Sequence, residues 1–176
     1  MILLVIDTQK AIVTDELYAL DLLVENVSRL IRQARMNGIE VLYIRHDDRE
    51  DTSVPDPDLD IYEGFAPAPG EHVIVKRFNS AFRQTDLEAY LDSKGERQLM
   101  VTGIMTDFCI DATIKSGFER GFEIVVPANA NSCTGNDYMS AETTYRYFNQ
   151  MMWPRRYARC VTMEEAENSI RQATKK

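Results

Sequence analysis

Paired cysteine motifs are missing from this chain. Its three cysteines, Cys109, Cys133 and Cys160, are odd in number, widely spaced and free of any Cys-x-x-Cys pair, which argues against a disulfide framework and a zinc knuckle. A reducing cytoplasm is the expected setting. Positive charge is also short, because 20 lysines and arginines face 28 aspartates and glutamates for a formal net charge of −8. Such a balance disfavours nucleic acid and anionic membranes and leaves small solutes or proteins as partners. Long apolar runs are absent. The first run, residues 2–6, has no basic residues before it and stops at Asp7, so it is expected to be a strand rather than a signal peptide or membrane anchor. Internal repeats, low-complexity tracts and coiled-coil heptads are lacking too.

What is present is the composition of one globular domain. With 176 residues, 44% of them hydrophobic and 27% charged, the chain is expected to fold as a single domain over 1–176 around its own core. Residues 2–6 read as a strand covered on both faces, ending at Asp7. Leu22, Leu23, Val27, Leu30, Ile31 and Ala34 then fall at helical spacing, and Gly38 follows as a stop. Residues 39–44 form the second strand, which makes a right-handed βαβ unit with Arg45, His46 and Asp47 at its exit. Residues 47–72, acidic and broken by Pro55, Pro57, Pro67, Pro69, Gly64 and Gly70, read as a long surface loop, either a binding loop or a solvated connector.

Residues 73–75 are a third strand running into Lys76, and Thr85 to Glu88 has the spacing of a capping box. Residues 98–102 are the fourth strand. After Gly103, Thr106 or Asp107 is placed to cap a helix that carries Ile110, Ile114 and Phe118 on one face and closes at Gly121. Residues 122–126 are a fifth strand, 127–135 a loop, and 138–150 a helix. A strand near 158–161 precedes a last helix capped by Thr162 and Glu165. About six strands alternating with helices mean an α/β protein, a three-layer αβα sandwich on a doubly wound, mostly parallel sheet.

In such sheets ligands bind beyond the carboxyl ends of the strands. Asp7, Lys76 and Cys109 each lie at or just past such an end, an acid, a base and a thiol of the kinds covalent catalysis requires. Cys109 also falls in the first turn of a helix, where amide dipoles favour an anion and are expected to ease ionisation of the thiol. Taken singly, each residue has an ordinary explanation. Asp7 can cap a turn, Lys76 can be a solvated surface residue, and Cys109 can be a small buried hydrophobe.

The chain resembles the isochorismatase-like cysteine hydrolases, a family that includes nicotinamidases and N-carbamoylsarcosine amidases. Three stretches carry the resemblance: Val5-Ile6-Asp7-Thr8-Gln9, Val75-Lys76-Arg77-Phe78-Asn79-Ser80-Ala81-Phe82, and Thr102-Gly103-Ile104-Met105-Thr106-Asp107-Phe108-Cys109. The resemblance implies Cys109 as nucleophile, Asp7 as general base and Lys76 as the supporting cation. It implies a cis peptide at Ile104-Met105 and an oxyanion site from the Met105 and Cys109 backbone N–H groups. It further implies hydrolysis of a small amide or carbamoyl compound through a thioester, and a homo-oligomer, dimer or larger. Gln9, His46, Phe82 and Asn129 are candidates for the substrate pocket. On the same fold, enol ether hydrolysis of the isochorismate type is an alternative, as are a non-catalytic binding or scaffold role and a redox thiol protein.

The chain departs from its relatives in three places. Where the nicotinamidases resembling it carry an Asp-x-His metal pair and a further histidine, it has Asp47-Asp48-Arg49, with only His46 and His72 in total. No cofactor or catalytic metal is therefore expected. Asn129-Ala130 replaces a common Asp-Ala, and Lys10-Ala11-Ile12-Val13 replaces a polar and aromatic sequence near the pocket. Cys133 and Cys160 read as structural, and Trp153 as a pocket cover, an oligomer contact or plain core.

Overall fold

The computed structural model describes residues 1–49 and 56–173. The expected loop over 47–72 therefore lies partly outside the described residues, Pro55 included. Strand β1, Ile2–Ile6, is followed by helix α1, Leu20–Met36, and strand β2, Glu40–His46. Strand β3, His72–Lys76, leads to helix α2, Leu87–Ser93, and strand β4, Gln98–Ile104. A π-helical turn, Thr106–Ile110, then runs into helix α3, Asp111–Glu119. Strands β5, Glu123–Pro127, and β6, Asn131–Ser132, precede helix α4, Ala141–Arg146, strand β7, Arg159–Val161, and helix α5, Met163–Ala173.

The sheet has seven strands in the order β3-β2-β1-β4-β5-β7, with the two-residue β6 paired to β4, and every pairing is parallel. The extra strand is β6, which falls in the stretch expected to be loop. Side chains alternate across the sheet as the period of a strand requires. Leu3 and Val5 of β1 pack with Leu23, Val27, Leu30 and Ile31 of α1 and with Ile170 of α5 on one face. On the other face Ile2, Leu4 and Ile6 pack with Leu87 and Leu91 of α2 and Ile114 of α3. Each fully buried apolar side chain contributes about 1.5–3 kcal/mol, and two covered faces explain why β1 is apolar throughout.

Helix ends show where local rules hold. Gly38 takes φ 66° after α1, as a helix stop requires. At α5 the capping box forms: Glu165 accepts from the Thr162 N–H at 2.8 Å, and Thr162 Oγ1 accepts from the Glu165 N–H at 3.2 Å. At α2 it does not, because Glu88 turns outward to Arg120 at 3.0 Å. Neither Thr106 nor Asp107 caps the helix after β4, since the chain enters it through the π-helical turn.

The described part of the long loop is docked rather than free. Residues 57–65 pair with the segment after β1, the Tyr62 N–H donating to Thr8 O at 2.8 Å and the Lys10 N–H to Asp60 O at 2.9 Å. Phe65, 1% exposed, anchors the loop in the apolar core on the α1 side. Trp153 is wholly buried beside Phe148, with its indole N–H donating to Asp111 at 2.9 Å, so it is core. No helix among the described residues is long and apolar enough to cross a membrane.

Candidate active site

The strand register brings the carboxyl ends of β1 to β4 to one edge. Ile6 pairs with Ile44 on one side and Gly103 on the other, and His46 pairs with Lys76. Just past Ile6 the chain turns at Asp7 with φ 49°, a left-handed conformation that aspartate tolerates better than most residues. The close approach of β4 depends on Gly103, where an added Cβ would lie 1.9 Å from the Ile6 carbonyl oxygen. The following Ile104–Met105 peptide bond is cis.

The turn carrying Cys109 is held from behind by a buried amide network. Thr106 Oγ1 donates to Asn131 Oδ1 at 2.7 Å, and the Asn131 and Asn149 side chains exchange hydrogen bonds of 2.9 and 3.0 Å. Asn131 reaches this position because β6 pairs with the end of β4. Sequence reasoning missed both asparagines; the only local signal for Asn131 is an amide-rich loop, and Asn149 has none beyond its place in a helix.

Lys76 is the hub. It is 1% exposed, and lysine is almost never buried without partners. Its Nζ lies 2.6 Å from Asp7 Oδ2, 2.9 Å from His46 Nδ1 and 3.3 Å from Cys109 Sγ. The contact to Asp7 is an ion pair off the direction of a well-aligned hydrogen bond. An ammonium only donates, so His46 Nδ1 accepts and the ring proton is assigned to Nε2, 3.7 Å from Asp48. Gln9 fixes the His46 backbone through two hydrogen bonds, from its Nε2 to His46 O at 2.9 Å and from the His46 N–H to its Oε1 at 2.8 Å.

Burial sets the protonation of the acid and the thiol. It pushes the Asp7 carboxyl up from the ordinary 3.8, against the opposing pull of Lys76. The Cys109 thiol is pushed up to about 12, first by burial and then by the Asp7 charge, with Lys76 drawing it the other way. This runs against the eased ionisation expected of a helix-entry thiol, because burial and the Asp7 charge together outweigh the pull of Lys76. A thiol and a carboxyl, both pushed up by burial, thus face the same buried ammonium.

Asp7, His46 and Cys109 offer ligand atoms within 4.8 Å of one another, a group of metal-binding type. The Lys76 ammonium touches all three residues, however, and a metal ion there would have to displace it against like-charge repulsion. The donor set thus fits the ammonium and not a metal while Lys76 is in place.

A cavity of about 320 Å³ opens above the thiol, lined by Asp7, Gln9, His46 and Cys109 together with Ala11, Ile12, Leu59, Asn79, Met105 and Phe108. Of the pocket candidates, Gln9 and His46 are brought to it. Phe82 is not, being buried against Phe122 and Gly117 in the apolar layer on the α3 side. Asn129 is not either; it occupies a turn with φ 52° after β5, where its N–H donates to Tyr145 Oη at 2.7 Å. Cys133 is buried, with its Sγ 3.5 Å from Ala141 O, and Cys160 lies in β7, so neither lines this cavity.

Comparison with known proteins gives the chain a family. The Isochorismatase domain family matches residues 1–164. A streptothricin hydrolase from Streptomyces noursei is 28% identical over 134 residues, which take in 74% of this chain and 49% of that protein. The ureidoacrylate amidohydrolase RutB from Methylorubrum extorquens is 33% identical over 78 residues, 44% of this chain and 32% of its own length. The chain thus spans about half or less of the length of these two curated relatives. A crystal structure of an isochorismatase-family protein from Chromobacterium violaceum matches with a TM-score of 0.88 and 26% identity, covering 96% of this chain and 92% of that one.

Proposed function

We propose that this chain, which belongs to the isochorismatase family, is a hydrolase of C–N bonds other than peptide bonds, acting on a small amide or carbamoyl compound through Cys109. The observation that carries this reading is the buried ammonium of Lys76 in contact with both Asp7 and Cys109. The names of two relatives, an amidohydrolase and a hydrolase, support it.

In the first step Asp7 takes the thiol proton as Cys109 Sγ bonds to the substrate carbonyl carbon, and the carbonyl π electrons move to oxygen. Proton transfer accompanies attack, since a thiol held near 12 leaves little free thiolate at neutral pH. The Met105 and Cys109 backbone N–H groups hold the oxyanion. Its collapse breaks the C–N bond, and the proton on Asp7 goes to the departing nitrogen. Water then gives a proton to Asp7 and its oxygen to the thioester carbon. The C–S bond breaks, and the proton returns to sulfur. Lys76 stabilises the Asp7 carboxylate and the sulfur as charge shifts between them, while His46, held by Gln9, orients the ammonium. The reading also carries a single domain over 1–176, a homo-oligomer of two or more copies, and a cytoplasmic setting suited to unpaired cysteines.

The test is ammonia release across small amides, ureas and carbamoyl compounds by the wild-type and Cys109→Ala proteins. Turnover is expected in the first and loss of at least about a thousandfold in the second, with the circular dichroism spectrum unchanged. Equal turnover of an identified substrate by both proteins would overturn the assignment.

A further inference from the structure

The walls of the Cys109 cavity restrict what can enter it. Besides the charged groups and the amides of Gln9 and Asn79 they are apolar: Ala11 and Ile12 beyond β1, Leu59 from the docked loop, Met105 before the π-helical turn and Phe108 within it. Phe108 is 57% exposed, a large apolar ring held at the rim rather than packed into the core. The charged lining groups are largely committed to one another. Asp7 and His46 are engaged by Lys76, and Asp47 is gripped by Arg49 through two contacts of 2.9 Å, with Asp56 a further 3.8 Å from the same guanidinium. The outlier is Asp48, an acid with 74% of its side chain exposed at the mouth.

A substrate carboxylate entering this cavity would give up its hydration and find each described lining cation already facing an acid. It would also pass Asp48 on a chain of net charge −8. An ionised group moved out of water without a partner is strongly disfavoured, whereas an apolar group gains from the same transfer. We propose, resting on the hydrolase reading above, that the site takes uncharged amides whose acyl group is compact and apolar, branched aliphatic or aromatic, and rejects amides bearing a carboxylate.

The test compares kcat/KM of the wild-type chain for acetamide, isobutyramide and benzamide with that for succinamate and N-carbamoylglycine, read as ammonia release. Each added methylene is expected to raise kcat/KM about fourfold, and the carboxylated compounds to fall about a hundredfold or more below benzamide. Phe108→Ala should cut the benzamide-to-acetamide ratio about tenfold, the ring contact being lost to the larger substrate. Cys109-dependent turnover of succinamate equal to or above that of benzamide would overturn this inference and leave the hydrolase reading standing. If no compound is turned over, the hydrolase reading fails for this panel, and titration of Cys109→Ala protein with benzamide and succinamate still decides. Tighter binding of benzamide supports the apolar site, and equal or tighter binding of succinamate overturns it.

Discussion

Two depressions meet at Asp47, Arg49 and Leu59. One, of about 320 Å³, lies over Cys109, and the other, of about 430 Å³, is lined by Arg45, Arg77, Asp56 and Asp60 as well. The larger has the more side-chain charge, yet much of it is solvated; Arg77 and Asp60 are exposed, and the Arg49–Asp56 contact is long at 3.8 Å. Surface ion pairs of this kind contribute about 0–1 kcal/mol, and Asp47, which lines both depressions, is drawn down to about 2 by its contact with Arg49. In the smaller depression a few charged groups are enclosed, and there burial moves Asp7 and Cys109 well away from their usual values. Burial, more than the number of charges, separates a site that can move protons from a polar dent beside it.

Four substitutions and two titrations test this contrast. The largest effect is expected from Lys76→Met, which removes the cation from three enclosed partners. Turnover should fall by at least about a thousandfold and stability by about 3 kcal/mol, read by activity and by urea unfolding. A fully active Lys76→Met protein would break the contrast outright. His46→Ala should lower kcat about 10- to 100-fold, because the ammonium loses one acceptor. His46→Asn, which restores an acceptor, should recover much of that loss; a cavity defect would not be rescued this way.

The pH dependence is next in size. Asp7 must be ionised to take the thiol proton, and its carboxyl is raised in the folded protein. The acid limb of kcat/KM should therefore lie above the ordinary 3.8, with activity falling as pH drops through the raised value. Iodoacetamide labelling of Cys109 should still be climbing past pH 9.0, where an unperturbed thiol is half ionised, since this one is pushed up to about 12. A labelling plateau near neutrality would mean that the dipoles win after all. Smallest is Arg77→Ala in the neighbouring depression, expected to change kcat/KM less than about threefold and stability by no more than about 0.5 kcal/mol.

Much of the frame was legible in the chain because it is written in local patterns. The apolar runs of β1 and β4, the helical spacing of α1 and the Thr162–Glu165 box each depend on neighbours a few residues away. Asp7, Lys76 and Cys109 were legible as strand-end residues, and their convergence followed from the parallel topology. Phe82 and Asn129 are placed by contacts distant in the chain. Each stands near a motif, but Phe82 packs into the apolar layer against Phe122 and Asn129 sits in the turn at φ 52°. The Thr85–Glu88 box has the right spacing too, but its glutamate finds Arg120 of another element.

The sequence by itself determined the class of fold, the order of its elements and which three side chains arrive at one edge, because hydrophobic period and strand direction are properties of short stretches. Only the tertiary structure decided how those side chains behave. Whether Cys109 ionises easily depends on its burial and on the charges brought beside it from other strands. Burial and the Asp7 charge push the thiol up, against the pull of Lys76, where its place in the chain alone suggested the opposite.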